Sequence, residues 1–241
     1  MPSTPGRVID TLVALQEHNP DDMLKQLEAQ LANLPAGATK HDMEPGFEVM
    51  AQWIQTLDSD RRAEVLGQLP AWLRETHAWH SRAAMEIALR VRDMSLLEAA
   101  IREASSRGVT DLAGGEEYPP WMIFHLDLLS TISRWQGDAG DEVRTYLADL
   151  RAGASATSYS QRLLAIRAWF TECLLEVDER RKPCLSLGLT KLREWRDGRL
   201  LRSGLSLLHA YFASTADGVA VLKDLLTPEE FAIACPELVA R

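Results

Sequence analysis

Three cysteines in 241 residues, Cys173, Cys184 and Cys235, are few and widely spaced. An odd count at such intervals gives neither a disulfide framework nor a zinc site. Cys173 falls in an apolar helical run, where a small buried hydrophobe is the expected role. No stretch approaches the about 18 uninterrupted apolar residues of a membrane span. The opening Met1-Pro2-Ser3-Thr4-Pro5-Gly6 lacks the basic and apolar regions of a secretory leader, so cytoplasmic residence is the expectation. Lysine is scarce as well: Lys25, Lys40, Lys182, Lys191 and Lys223 are the only ones among 26 cations. Helix propensity does not separate lysine from arginine, whereas a GC-rich coding sequence, as in many bacteria, would account for the bias.

Familiar catalytic signatures are missing too. There is no Walker A loop, G-x-G-x-x-G, H-E-x-x-H, C-x-x-C or G-x-S-x-G. Strand signals are few, which removes the strand–turn–helix units on which nucleotide folds are built. No cofactor and no metal are expected.

Helix signals, by contrast, are dense. Asn19-Pro20-Asp21-Asp22 reads as an N-cap, a first-turn proline and two acids matched to the helix dipole. Met23, Leu24, Leu27, Leu31 and Leu34 follow at helical spacing, and Pro35-Ala36-Gly37 ends that segment. Pro45 is expected to open the next helix, and Asp58-Ser59-Asp60 to cap another that Pro70 closes. From His80 a helix runs to a break at Asp93-Met94-Ser95, and a second helix continues to Gly108, which makes a hairpin. Segments 120–135 and 141–150 repeat the arrangement, as do 159–179 and 184–195, with 180–183 read as a break. Segments 199–213 and 219–226 follow, and Thr227-Pro228-Glu229-Glu230 caps a last helix.

Gly108, Gly153 and Gly198 end the second helix of each hairpin in this reading, at intervals of 45 residues. Leu147 and Leu150 precede Gly153, and Leu192 and Trp195 precede Gly198, at matching offsets. This long-helix, turn, short-helix unit over residues 80–226 resembles the hairpins of α-solenoid proteins such as the HEAT and tetratricopeptide classes, in architecture only. The expected fold is all-α, with about ten to twelve helices in stacked antiparallel hairpins and a compact multi-helix bundle as the alternative. Residues 1–78 form an N-terminal helical segment and 79–241 the hairpin segment, together one continuous domain.

Several polar residues invite a chemical reading. His77 and His80, near Glu75 and Glu86, could share a helix face, yet a metal needs a further convergent ligand. His41-Asp42 resembles the adjacent pair of the all-α HD-type phosphohydrolases, with His18 upstream and Asp127 downstream. That pair sits on an apolar helix in the family, whereas here it reads as part of a loop. His125 and Asp127 lie in a strongly apolar helix, where buried polar groups need partners, and a satisfied core histidine is the simpler reading. Asp138 and Asp141 resemble a calcium loop without its ligand periodicity, and capping by Asp141 is the better account.

Net charge is −9, and it is lopsided: residues 1–120 carry 19 acids against 11 Lys and Arg. Phosphate is repelled by such a chain, while a basic partner is attracted. Between Arg180 and Arg202 the trend reverses, with eight cations (Arg180, Arg181, Lys182, Lys191, Arg193, Arg196, Arg199 and Arg202) around Trp195. That stretch could meet nucleic acid or an acidic partner, or fold back on acids of the same chain. The aperiodic stretch 109–119 holds Glu116, Glu117 and Tyr118, and Trp121 stands just beyond it. Loops and aromatics of this kind carry interfaces. The expected function is a non-enzymatic protein-binding module with Glu116, Glu117, Tyr118 and Trp121 as contacts. One concrete form is a bacterial immunity protein that neutralises a basic toxin domain. A helical enzyme with a dispersed active site at His125 and Asp127 is the alternative, and nucleic-acid binding the third reading.

Overall fold

A computed structural model describes residues 20–32, 34, 38–75, 78–107, 118, 120–135, 138–153, 158–213 and 215–239, without the side chains of residues 20–22, 30, 40–42, 78, 120 and 178. Among the described residues there are thirteen helices and no strand, so the fold is all-α. None of these helices is long and apolar enough to cross a membrane. The chain divides into two compact units, Met1–Arg107 and Gly108–Arg241.

The first unit holds α1 (Pro20–Ala32), α2 (Lys40–Thr56), α3 (Ser59–Arg74), α4 (Ala78–Val91) and α5 (Met94–Arg107). Helix α4 lies at its centre and packs on the other four. Its Ala83, Ala84 and Ala88 are fully buried, and such small side chains let neighbouring backbones approach closely. Around them Leu27, Phe47, Ile54, Leu69 and Leu97 are closed to solvent.

The second unit holds α6 (Pro120–Ile132), α7 (Gly140–Ala152), α8 (Tyr159–Leu175), α9 (Asp178–Glu194), α10 (Gly198–Phe212), α11 (Ala216–Leu225), α12 (Pro228–Ala234) and α13 (Pro236–Val239). Helix α8 is its centre and packs on α6, α7, α9 and α10. No residue of α8 is exposed. Leu163, Leu164, Ile166, Phe170 and Cys173 point to different sides of it, all buried, as expected of a helix surrounded by others.

Two caps stand where the sequence placed them. The Asp58 side chain accepts from the Arg61 amide, and Thr227 forms a reciprocal capping box with Glu230. Asp141 does not cap: it is a first-turn acid behind Ala139, the N-cap residue of α7. Gly218 is held to glycine by space, since a Cβ there would stand 2.0 Å from the Phe212 carbonyl oxygen.

Three prolines do not act as the sequence suggested. Pro45 lies inside α2, Pro70 inside α3 and Pro183 inside α9. A proline in a helix interior costs about 3 kcal/mol. Beyond Pro70, however, Trp72 and Leu73 continue the buried stripe of Val65 and Leu69. Burying two such side chains returns about 2–3 kcal/mol each, which exceeds the cost. Because α2 begins at Lys40, His41 and Asp42 stand on helical backbone rather than in a loop; their side chains lie outside the description.

The hairpin partners are equal in length rather than long and short: α4 and α5 have 14 residues each, α6 and α7 have 13, α8 and α9 have 17. Gly153 follows the end of α7, but Gly198 opens α10, so the 45-residue interval does not join equivalent positions. Gly108 lies outside the described residues.

Cys173 and Cys184 are joined in a disulfide, their Cα atoms 5.6 Å apart, and tie α8 to α9. This corrects the reading of unpaired thiols. A spacing of eleven residues becomes bondable once the chain reverses between two packed antiparallel helices. Cys235 remains a buried free thiol.

Two hairpin turns place an arginine in the left-handed region, Arg92 at φ 56° and Arg196 at φ 51°. A side chain there costs about 1–2 kcal/mol that glycine does not incur. Arg196→Gly should therefore raise the stability of the protein by up to about 1 kcal/mol, read as a higher urea midpoint. A lower midpoint would mean that the arginine side chain contributes more than the backbone costs.

Candidate functional site

The starts of α6, α8 and α10 and the end of α9 come together at one end of the second unit, and aromatic and arginine side chains gather there. Tyr118, just before α6, is exposed at 42%. It stands close enough to the phenol of Tyr159, which opens α8, to influence its ionisation. The guanidinium of Arg199, in the first turn of α10, lies 4.5 Å from the centre of the Tyr159 ring. One turn into α8, Arg162 lies 5.5 Å from the ring of Trp195, the residue that follows α9. Both distances suit cation–π attraction. Burial is the largest influence on the Tyr159 phenol and moves its pKa above the ordinary value; a hydrogen bond from Ser203 opposes the shift.

The structure treats the four sequence candidates differently. Tyr118 lies in this cluster. Trp121 is partly buried against the core of the unit, its ring edge-on to His125 at 6.2 Å between centroids. Glu116 and Glu117 lie outside the described residues. Tyr159, Arg162 and Arg199 were missed as members of one surface. The sequence places each of them near the end of a helix, but only the packing shows which helix ends meet.

His125 behaves as a core histidine. It is buried, its Nδ1 lies 2.8 Å from the Tyr146 hydroxyl, and the two rings stack. Burial raises the Tyr146 phenol far above its ordinary pKa, so it stays protonated. Asp127 is half-buried, and its backbone carbonyl accepts from the Thr131 hydroxyl. His80 is buried with its ring edge-on to Trp72. His18 and His77 lie outside the described residues. Among the described residues no three His, Cys, Asp or Glu side chains converge as metal ligands.

Of the eight cations between Arg180 and Arg202, at least four are engaged within the protein. Lys182 pairs with Asp224, Lys191 with Glu194, and Arg193 with both oxygens of Glu230 at 2.9 and 2.6 Å. Arg181 donates to the carbonyls of Cys173 and Glu176. The acids that answer this stretch therefore come from its own unit. In the first unit the buried Glu86 pairs with Arg90, which also reaches Glu48 at 3.1 Å and Glu44 at 3.5 Å. Part of the acidic excess of that unit is thus spent internally.

The first unit also carries an open groove of about 1000 Å³ between α3 and α5, floored by Leu66, Leu73, Leu96 and Ala99. Its polar edges are partly engaged: Arg62 donates to the Val91 carbonyl, and Arg102 stands 4.0 Å from Glu98. In the second unit a smaller recess of about 280 Å³ holds the Arg151–Glu172 pair, at 2.6 Å, beside Trp169 and Cys184. Burial raises the Glu172 carboxyl above its ordinary pKa, and Arg151 opposes it.

No protein-family model, curated protein or solved structure matches this chain.

The Arg193–Glu230 fork ties α9 to α12, and its hydrogen bonds hold the Glu230 carboxyl below its ordinary pKa. A depressed carboxylate stabilises the fold above its unfolded pKa, and the contribution is lost as pH falls through the folded value. Glu230→Gln should cost about 1–3 kcal/mol at neutral pH. Urea titrations at a series of pH values should show that gap closing below about pH 4. A gap independent of pH would assign the loss to packing instead.

Proposed function

We propose that this protein is a non-enzymatic protein-binding module, and that the Tyr118, Tyr159, Arg162, Trp195 and Arg199 end of its second unit is the contact surface. The observation that carries the reading is the composition of that surface. Tyrosine, tryptophan and arginine are the residues in which interface binding energy concentrates, and here two arginines are already laid on two aromatic rings. Arginines held this way lose little side-chain freedom when a partner arrives.

The chain's net charge of −9 suits a basic partner. Long-range attraction would speed the encounter, while the aromatic end supplies the close contacts. A toxin domain neutralised by direct binding is one partner of that kind, which would make the protein an immunity protein. Glu116 and Glu117, next to Tyr118 in sequence, add negative charge that suits the same kind of partner. The stacked-hairpin architecture of α-solenoids would fit such a role, because it presents surfaces rather than enclosed sites.

Tyr118→Ala combined with Arg199→Ala tests the placement. Both side chains are exposed, so stability should stay within about 0.5 kcal/mol of the parent. Parent and variant are used as baits on an extract of the source cell, and the proteins retained are quantified by mass spectrometry. A protein enriched by the parent and weakened about thirtyfold or more by the variant supports the surface. Equal retention of the same proteins by both baits counts against it.

A further inference from the structure

The second unit has another recess, of about 550 Å³, between α8 and α10 with the last turn of α6 at its edge. Its polar lining consists of Arg167, Arg202, Ser130, Ser203, Ser206 and Tyr211. Among the described residues no carboxylate lines it. Leu207 and Ala210 supply a short apolar wall. The Tyr211 hydroxyl lies 3.4 Å from the Thr171 hydroxyl.

Arg167 is the unusual member. It belongs to α8, on which no residue is exposed. The other charged side chains of that helix are answered: Arg162 lies over Trp195, and Glu172 pairs with Arg151. Arg167 has no carboxylate partner among the described residues, and neither has Arg202 on the adjoining helix. Two arginines that line one concavity repel each other, and the partial burial of Arg167 makes its unanswered charge more costly than that of the exposed Arg202. In a chain with nine more negative than positive charges, leaving these two unanswered is a cost that a bound anion would remove.

We propose that this recess is a binding site for a small phosphate-bearing molecule. Arginine's planar fork of donors matches phosphate oxygens in pairs, and serine and tyrosine hydroxyls add donors that turn to suit the anion. The volume falls in the range of sites for small organic ligands. The Leu207 and Ala210 wall, with the Tyr211 ring, faces the organic part while the arginines hold the phosphate. This site is distinct in residues from the proposed protein contact, and the two succeed or fail separately.

Isothermal titration with phenyl phosphate, inorganic phosphate and benzoate at constant ionic strength tests the assignment. Saturable binding of phenyl phosphate is expected, with inorganic phosphate weaker because it leaves the apolar wall unused. Arg202→Gln and Arg167→Gln should each weaken phenyl phosphate about tenfold to a hundredfold. Arg202 is exposed and its replacement should fold normally, so the test stands even if Arg167→Gln does not fold. Absence of saturable binding at millimolar phenyl phosphate would overturn the proposal. So would affinity unchanged in Arg202→Gln, or benzoate binding as tightly as phenyl phosphate. Equal affinity for inorganic phosphate would remove the organic part of the ligand from the assignment.

Discussion

A helix that offers solvent no side is stable only with neighbours all round it, and each unit of this protein is arranged around one such element. In the second unit it is α8, with α6, α7, α9 and α10 against it. In the first it is α4, whose residues from Ala83 to Ala88 are buried without a break. Once a central helix is covered, its neighbours can differ only in how they run and where they end. One shared end, and a recess between α8 and α10, are where the second unit gathers its arginines and tyrosines.

The same constraint decides the fate of charge. A guanidinium or carboxylate on a covered helix must find an aromatic ring, an opposite charge or an opening. Arg162 takes a ring and Glu172 takes Arg151, while Arg167 takes an opening. Glu86 on α4 solves the problem with Arg90 four residues along its own helix. Charges on outer helices are less constrained, and Lys182 and Lys191 make exposed pairs that contribute little.

Much of the fold was legible in the residues. Periodic leucines, the Asp58 cap and the Thr227 to Glu230 capping box mark helices because they act within one turn of chain. Pro70 misled because its cost is local while the compensation, the burial of Trp72 and Leu73, is tertiary. The pairing of Cys173 with Cys184 was hidden for the same reason, since eleven residues become a short distance only across a packed hairpin. The arginine-rich stretch looked like a patch in one dimension, but successive helical residues turn by about 100°, and at least four of its cations are engaged within the protein. Tyr118 was recognisable as an exposed aromatic. Its companions Tyr159 and Arg199 were not, because membership of a shared end depends on which helices pack side by side.

The division into two units, each with its own central helix and core, bears on what a melting curve means. Two cores need not lose their order together, and a single midpoint is well defined only if they do. Trp53, Trp72 and Trp79 belong to the first unit, and Trp121, Trp135, Trp169 and Trp195 to the second. Indole emission is therefore a sum over both. Resolving one unit from the other takes probes confined to one side, such as single-tryptophan derivatives, before any free energy is ascribed to the whole chain.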